Sequence, residues 1–164
     1  MIAAGVPVIP GSKEPLYHAE EALAIAEEVG YPVIVKAALG GGGKGMRVAY
    51  HQDELENAFM TAQKESMAAF GDNTMYLEHF VEHPKHIEFQ ILADSYGHVI
   101  HLGERDCSIQ RNHQKLIEES PCAIMSDALR QKMGEAAVNA AKAAGYVNAG
   151  TIEFLLEKTG RFYF

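Results

Sequence analysis

The stretch that decides the fold reads Leu39-Gly40-Gly41-Gly42-Gly43-Lys44-Gly45-Met46-Arg47. Glycines let a backbone approach a phosphate closely and turn its N–H groups toward the oxygens. From Lys36 to Arg47 the chain carries three basic residues and no acidic one, so a polyphosphate is the natural ligand. Four glycines alone are equally compatible with a hairpin tip that binds nothing.

Two better-known glycine motifs do not fit this stretch. A P-loop requires Ser or Thr after its Gly-Lys pair, and here Gly45 follows Lys44. The spacing of Gly40, Gly42 and Gly45 matches GxGxxG, but the dinucleotide motif must open a helix. Residues 46–50 indicate a strand instead. A strand, a glycine tip and a second strand form a flap that can close over a nucleotide.

The rest of the chain predicts alternating helices and strands. Apolar residues at helical spacing predict three helices, of which the second begins at an Asp53 cap and stops at Gly71. Apolar alternation predicts the strands, including a hairpin that turns at residues 94–97. The predicted helices start at Glu20, Asp53 and Ser126, and the predicted strands include residues 32–36, 75–78, 87–91, 99–102 and 151–157.

Composition places limits on function. The 164 residues include 14 Lys and Arg against 22 Asp and Glu, a net charge of −8, which argues against a general nucleic-acid or anionic-membrane partner. No apolar run has the length of a membrane span. Cys107 and Cys122 form no CxxC pair, which fits a reducing cytosol. The average charge hides two basic segments, residues 36–47 and 105–115.

Three groups of polar residues are candidate sites. His79, His83 and His86 have the spacing of a helical zinc face, but Pro84 interrupts any helix, and scattered polar histidines are the preferred interpretation. Residues 105–115 are dense in hydrogen-bond donors and predict a loop between two strands, either solvated or binding a ligand. Within it Cys107 and Ser108 lack a neighbouring base, so both are interpreted as structural.

Glu153 is the third candidate. It lies on a strand between Ile152 and Phe154. A buried carboxylate needs a partner or a cation, and Mg²⁺ is commonly held by one or two carboxylates together with substrate phosphates. The same alternation also allows Glu153 to lie on a solvent-exposed face of the sheet.

Several long motifs occur in order along essentially the whole chain. They are Lys36-Ala37-Ala38 with Gly40 to Arg47, His83-Pro84-Lys85-His86-Ile87-Glu88, Glu104-Arg105-Asp106-Cys107-Ser108 with Gln110-Arg111 and Gln114-Lys115, Glu118-Glu119-Ser120-Pro121, and Gly150-Thr151-Ile152-Glu153-Phe154. Together they resemble the biotin carboxylase family of ATP-grasp enzymes. The resemblance implies an α+β ATP-grasp fold, with a lid subdomain and part of the C-terminal ATP-grasp half. We expect residues 1–12 to end a preceding domain or linker, residues 13–82 to form the lid, and residues 83–164 to form an incomplete C-terminal subdomain.

The resemblance also implies a reaction and its partners. The family carboxylates biotin with bicarbonate and ATP, through carboxyphosphate, with Mg²⁺ or Mn²⁺ bound. The biotin is carried on a biotin carboxyl carrier protein, and a carboxyltransferase component accepts the product. We therefore expect a cytoplasmic homodimer, most simply the carboxylase component of an acetyl-CoA carboxylase of fatty acid biosynthesis. Pyruvate, propionyl-CoA and methylcrotonyl-CoA carboxylases share these motifs and stay open as alternatives.

Roles for individual residues follow from the resemblance alone. Lys36 would hold ATP phosphates, Lys115 would lie near bicarbonate or the γ-phosphate as the catalytic residue, and Glu153 would ligate the metal. The other implied nucleotide contacts are the flap (Gly41, Gly42, Gly43, Lys44, Gly45), the adenine hinge (Glu78, His79, Val81), the residues near the ring (Met46, Leu155) and the ribose side (His86, Gln110, His113).

Three departures from the family pattern affect the expected activity. His79 stands where a basic residue usually follows the hinge Glu, and Asn112 replaces a common Arg. The family's second metal-binding Glu and its Asn and Arg ligands for bicarbonate and biotin follow the position of Phe164. We therefore expect this chain alone to hold ATP weakly and not to carboxylate. A non-catalytic nucleotide-binding module remains an alternative, whereas the strand after the glycines disfavours a dinucleotide-dependent oxidoreductase.

Overall fold

The computed structural model describes residues 1–39, 44–111 and 114–164, and these form two compact units. The N-terminal unit is Ile9–Val81, and the C-terminal unit combines Met1–Val8 with Glu82–Phe164. The helices are α1 (Ala19–Val29), α2 (Gln52–Phe70) and α3 (Asp127–Ala143), and the strands are β1 (Val33–Ala37), β2 (Met46–Ala49), β3 (Met75–His79), β4 (Lys85–Ala93), β5 (Val99–Arg111), β6 (Gln114–Glu119), β7 (Asn148–Leu156) and β8 (Phe162–Tyr163).

The N-terminal unit is a three-stranded antiparallel sheet, ordered β2-β1-β3, packed with α1 and α2. The strand predicted at residues 32–36 is present as β1, and its alternate residues are buried. Phe59 and its neighbours on α2 form the apolar stripe expected of a helix at this spacing. The buried residues shared by these elements include Ala22, Ala26, Val33, Val35, Leu55, Phe59, Ala62 and Leu77.

The ends of α2 test two predictions. Gly71 ends the helix in the left-handed conformation, with φ of 71°, as predicted. The Asp53 cap was wrong, because the helix begins one residue earlier at Gln52 and its N-cap residue is His51. Asp53 instead lies in the first turn, where a negative charge is favourable beside the free N–H groups.

The C-terminal unit is a five-stranded antiparallel sheet, ordered β6-β5-β4-β7-β8, with α3 packed against it. Ile87, Phe89 and Ile91 of β4 join the buried core with Met133 and Ala137 of α3. Four alanines of α3 are buried together, as close packing against a sheet requires: Ala136, Ala137, Ala140 and Ala141. The predicted β4–β5 hairpin is present, with Leu92 opposite Ile100.

Residues 105–115 are not the predicted loop. Through Arg111 they continue β5, and β6 begins at Gln114. Cross-strand pairing with β4 and β6 satisfies their backbone groups, so the segment needs no apolar alternation to form a strand. This is why a sequence pattern based on alternation misses it.

The start of the chain belongs to the C-terminal unit. Val6 is buried in that unit's core, and the Phe164 N–H donates to the Pro7 carbonyl at 2.8 Å. The segment 1–12 predicted as one piece is thus divided between the two units. No helix among the described residues has the length and apolar character needed to cross a membrane.

Candidate functional site

A row of charged side chains crosses the open face of the C-terminal sheet. Glu88 of β4 lies between Glu153 of β7 and Arg105 of β5 in the strand register. Because side chains alternate along a strand, Glu88 points away from the side of Ile87 and Phe89, which pack into the core with α3. Three neighbouring strands therefore present two carboxylates and a guanidinium on one surface.

Lys115 of β6 completes this row. Its Nζ donates to Glu153 Oε1 at 2.5 Å and also to Glu88 Oε2, so one ammonium joins two carboxylates. Arg105 Nε donates to the other Glu88 oxygen at 2.5 Å, and its Nη2 donates to Gln90 Oε1 at 3.1 Å. We call Glu88, Arg105, Lys115 and Glu153 the carboxylate–ammonium cluster.

Burial divides the two carboxylates of this cluster. The Glu88 side chain is 5% exposed, whereas the Glu153 side chain is 65% exposed. Burial alone would raise the pKa of Glu88, yet hydrogen bonds from Lys115 and Arg105 lower it below the ordinary value. Partial burial alone would lower the pKa of Lys115, but Glu153 and Glu88 raise it above the ordinary lysine value. Lys115 is therefore a fixed cation and not a proton acceptor near neutral pH.

Glu153 suits a hard divalent cation. Its carboxylate is exposed, and carboxylate oxygens are the ligands that Mg²⁺ prefers, usually one or two of them together with substrate phosphates. The buried Glu88 is already held by two cationic side chains. Of the two carboxylates, Glu153 is thus the one accessible to a metal–nucleotide complex.

Other predicted residues of the C-terminal unit flank the cluster. Gln110 lies opposite Lys115 in the β5–β6 register, and its amide donates to the Cys107 carbonyl at 2.9 Å. His86 lies opposite Leu155 in the β4–β7 register, two residues along each strand from Glu88 and Glu153. The His86 backbone N–H donates to Ser108 Oγ at 3.0 Å. These residues share the open face with the cluster.

The N-terminal unit holds a second group of predicted residues. Lys36 of β1 donates its Nζ to Glu78 Oε2 of β3 at 2.5 Å, and both side chains are partly exposed. Met46 lies opposite Lys36 on the other neighbouring strand. The predicted phosphate lysine, the first hinge residue and Met46 therefore occupy three adjacent strands of one sheet.

The hinge residues after Glu78 are held by backbone contacts. The His79 N–H donates to the Pro10 carbonyl at 2.8 Å, and its Nδ1 lies 3.1 Å from the Gly30 carbonyl oxygen. Val81 is buried.

The flap residues Lys44 and Gly45 precede β2, and Gly45 has a φ of 70° that favours glycine. The predicted contacts at Gly41, Gly42, Gly43 and His113 lie outside the described residues.

Two alternative chemistries lose support. Burial and the nearby Glu88 and Glu118 raise the pKa of the Cys107 thiol to about 11, so it is a poor nucleophile at neutral pH. Among the described residues, one group of three potential metal ligands lies close together: Cys107, Glu88 and Glu118. It includes none of His79, His83 and His86, the histidines considered as a zinc site. Because Glu88 already bonds Lys115 and Arg105, this group is a poor cation site.

The sequence interpretation missed Glu88, Arg105 and Gln90 as members of the site. It left Glu153 either buried or on a solvent-exposed face, and in the structure Glu153 is exposed whereas Glu88 is the buried carboxylate. A signal was present, because Glu88 and Gln90 alternate with the apolar Ile87 and Phe89 on a strand. Neither burial nor the pairing with Lys115 follows from that alternation, since both depend on strands distant in sequence.

The open face of the C-terminal sheet thus combines two carboxylates with two cationic side chains, and comparisons with known proteins identify the family. The family model described as carbamoyl-phosphate synthase L chain, ATP binding domain, matches residues 1–164. The biotin carboxylase of Nostoc sp. is 56% identical over 164 residues, which are 100% of this chain and 37% of that protein.

Solved structures of biotin carboxylases are also similar to this chain. The biotin carboxylase–βγ-ATP complex from Campylobacter jejuni has a TM-score of 0.91 and 56% identity, covering 99% of this chain and 36% of that one. The biotin carboxylase domain dimer of Hydrogenobacter thermophilus 2-oxoglutarate carboxylase, with MgADP, ADP and bicarbonate, has a TM-score of 0.89 and 50% identity, covering 99% of this chain and 36% of that one.

The chain belongs to the ATP-binding domain family of the carbamoyl-phosphate synthase L chain, in its biotin carboxylase branch, and has the ATP-grasp fold. It spans little more than a third of the length of the relatives described above. The predicted family and fold are thereby confirmed.

Proposed function

We propose that the complete gene product carboxylates biotin with bicarbonate and ATP. The observation that carries this proposal is the placement of Lys115 between Glu88 and Glu153 on the open face of a sheet. A fixed cation beside an exposed carboxylate suits a phosphoryl transfer, in which catalysis consists mainly of positioning and charge neutralisation. The bound ligands named for the Campylobacter and Hydrogenobacter structures support the same chemistry.

In the proposed reaction a bicarbonate oxygen attacks the γ-phosphorus of ATP, and the bond to the β-phosphate oxygen breaks to release ADP. The product, carboxyphosphate, breaks down to CO₂ and phosphate; the CO₂ is attacked by a ureido nitrogen of biotin, whose proton passes to the released phosphate. Lys115 orients the attacking bicarbonate and neutralises charge on the transferred phosphoryl group. Glu153 would hold Mg²⁺ or Mn²⁺, which supplies charge neutralisation at the phosphates.

The N-terminal unit supplies the remaining nucleotide contacts in this proposal. Lys36 exchanges its partner Glu78 for ATP phosphates, and Lys44 and Gly45 contribute to the flap. Glu78, His79 and Val81 form the adenine hinge. Met46 packs near the ring, as does Leu155 of the C-terminal unit. His86, Gln110 and His113 contact the ribose side, and Gly41, Gly42 and Gly43 complete the flap.

The partners follow from the same chemistry. Biotin is presented by a carrier protein or domain, and a separate carboxyltransferase component consumes the carboxybiotin. We propose a homodimer, the state named for the Hydrogenobacter domain, in the cytoplasm, where the free thiols of Cys107 and Cys122 stay reduced. Acetyl-CoA is the proposed final acceptor, with the product serving fatty acid biosynthesis. Because acceptor choice lies in the carboxyltransferase component, 2-oxoglutarate or pyruvate would leave the reaction on this chain unchanged.

The test measures ADP release by the complete gene product with ATP, Mg²⁺ and free biotin, with and without bicarbonate. We expect release to require both bicarbonate and biotin. Lys115→Gln should lower kcat by at least about a hundredfold, because a preorganised charge at the reacting phosphate is lost. Lys158→Gln, which removes an exposed lysine of the same unit, is the matched control and should stay within twofold.

An equal rate of ADP release with and without bicarbonate would overturn the carboxylase proposal. Tight ATP binding without any turnover would favour a non-catalytic nucleotide-binding module instead. The 164-residue chain by itself should bind ATP weakly and release no ADP in the same assay. Full activity of the chain alone would contradict this expectation.

A further inference from the structure

One carboxylate on α2 holds the residues that lead from the glycine stretch into β2. Glu65 Oε2 accepts from the Gly45 N–H at 3.4 Å, and Glu65 Oε1 forms an ion pair with Arg47. These contacts join residues 18 and 20 positions apart in the chain. Nothing in the proposed reaction uses Glu65, although it lies against the proposed phosphate-binding segment.

Gly45 is fixed on its other side by β1. Its carbonyl accepts from the Ala37 N–H at 2.8 Å, and a Cβ at this position would lie 2.8 Å from the Ala37 Cβ. The same Cβ would lie 3.6 Å from the Cβ of the buried Ser66 on α2. The backbone at Gly45 is therefore confined between β1 and α2, and Glu65 is the charged contact on the α2 side.

The ion pair between Glu65 and Arg47 also gives the two cations of this segment, Lys44 and Arg47, different surroundings. Arg47 is held by Glu65 and donates its Nη1 to the Met46 carbonyl at 2.7 Å. In the described part of the chain no carboxylate lies within ion-pair distance of Lys44, which lines the same groove as Arg47 and Glu65. Arg47 is thus committed to the protein, and Lys44 is left for an anionic ligand.

We propose that Glu65 is a positioning residue for nucleotide binding, which fixes the Gly45 backbone and Arg47 so that Lys44 is directed toward the phosphates. This inference rests on the proposed ATP reaction. Glu65 itself touches no substrate and acts through Gly45 and Arg47. Its effect should therefore fall on the KM for ATP and on local backbone order, with kcat nearly unchanged.

The test compares Glu65→Ala, Glu65→Gln and the control Glu56→Ala in the complete gene product. Glu56 lies exposed on the same helix, and its carboxylate has no hydrogen bond or ion pair to the other described residues. Amide hydrogen exchange at residues 45–47 is measured first, without nucleotide. Glu65→Ala should accelerate exchange roughly tenfold, since a hydrogen bond to a charged group is lost. Glu65→Gln should show a smaller change, and Glu56→Ala none.

Steady-state kinetics give the second readout. Glu65→Ala should raise the KM for ATP roughly tenfold with kcat within twofold, and Glu65→Gln should restore most of the affinity, because its amide oxygen still accepts from Gly45. Unchanged exchange in Glu65→Ala, or an equal change in Glu56→Ala, would overturn the role of Glu65. If the unmodified protein shows no bicarbonate-dependent turnover, the proposed function fails, and the exchange measurement still decides whether Glu65 orders residues 45–47.

Discussion

The Lys115 ammonium lies 2.5 Å from the Glu153 carboxylate, although 38 residues separate the two in the chain. β6 carries Lys115 and β7 carries Glu153, and β5 and β4 lie between them in the sheet. The Lys115 ammonium also donates to the buried Glu88 of β4, which lies between the two strands. A cation and an exposed carboxylate thereby meet on the face of the sheet opposite α3.

Glu153→Gln in the complete gene product should weaken binding of the Mg²⁺–nucleotide complex by at least about tenfold, because one anionic oxygen ligand is lost. Titration calorimetry with MgADP measures the change. Glu135→Gln, on the exposed face of α3, is the matched charge removal and should leave the affinity unaltered. An unchanged affinity for the Glu153 variant would exclude this residue from the metal site.

Gly45→Ala should destabilise the protein more than Gly71→Ala. Both glycines have a φ near 70°, which costs an alanine about 1 kcal/mol. Only at Gly45 would the new Cβ collide, at 2.8 Å from the Ala37 Cβ, whereas nothing lies within 4 Å at Gly71. Urea unfolding should give a free-energy loss of about 1 kcal/mol for Gly71→Ala and about 2–4 kcal/mol for Gly45→Ala. Equal losses would mean that β1 moves aside without cost.

Arg130→Met should lower the thermal midpoint more than Arg161→Met does. Arg130 Nε donates to both oxygens of Glu104, at 3.0 and 2.9 Å, and the Glu104 side chain is 1% exposed. Removing Arg130 leaves a buried carboxylate without its cation, which is costly. Arg161 pairs with Glu157 at the surface, where an ion pair contributes little. Differential scanning calorimetry of both variants at pH 7 tests this order, and a larger loss for Arg161→Met would contradict it.

Acid should unfold the C-terminal unit through its buried carboxylates. Burial opposes ionisation of Glu104, but hydrogen bonds from Arg130 and the Cys122 N–H hold its pKa below 4.5, and Lys85 and Ser108 lower the pKa of Asp106 below 3.8. A carboxyl whose pKa is lower in the folded state stabilises the protein above its unfolded pKa. That stability is lost as the pH falls through the folded pKa. The urea midpoint should therefore stay level from pH 7 to about 5 and fall steeply below about 4.5.

Glu104→Gln provides the comparison for the acid titration. Because its side chain cannot ionise, the variant should be less stable at pH 7, with a shallower loss below pH 4.5. Glu135→Gln should keep the full slope of the unmodified protein. A parallel slope in Glu104→Gln would assign the acid sensitivity to other groups.

Much of the fold could be predicted from local patterns. Ile87, Phe89 and Ile91 alternate along β4, and Gly71 ends α2. The prediction failed at residues 105–115, where charged side chains lie on both faces of β5 and no alternation marks the strand. Pairing with β4 and β6 forms that strand, and such pairing depends on segments that a local pattern does not contain.

Apart from the glycine stretch and Glu153, the residues of the candidate site were assigned individual roles only through the resemblance. The positions of Lys115 and Glu153 in the sequence did not predict that the two side chains form an ion pair. The buried Glu88, which also pairs with Lys115, was missed. Burial of a carboxylate depends on which strands flank it and which cations reach it. Both properties belong to the strand order β6-β5-β4-β7.

The sequence by itself determined the family, the glycine stretch before β2 and the periodic elements. Motif order and side-chain periodicity can both be read from the linear sequence, because neither depends on contacts between distant segments. Only the tertiary structure decided which charges pair. It placed Lys115 between Glu88 and Glu153, and Glu65 between Gly45 and Arg47. The physical reason is that Coulomb and hydrogen-bond energies depend on distances in space, and sheet register and helix packing set these distances between segments far apart in the chain.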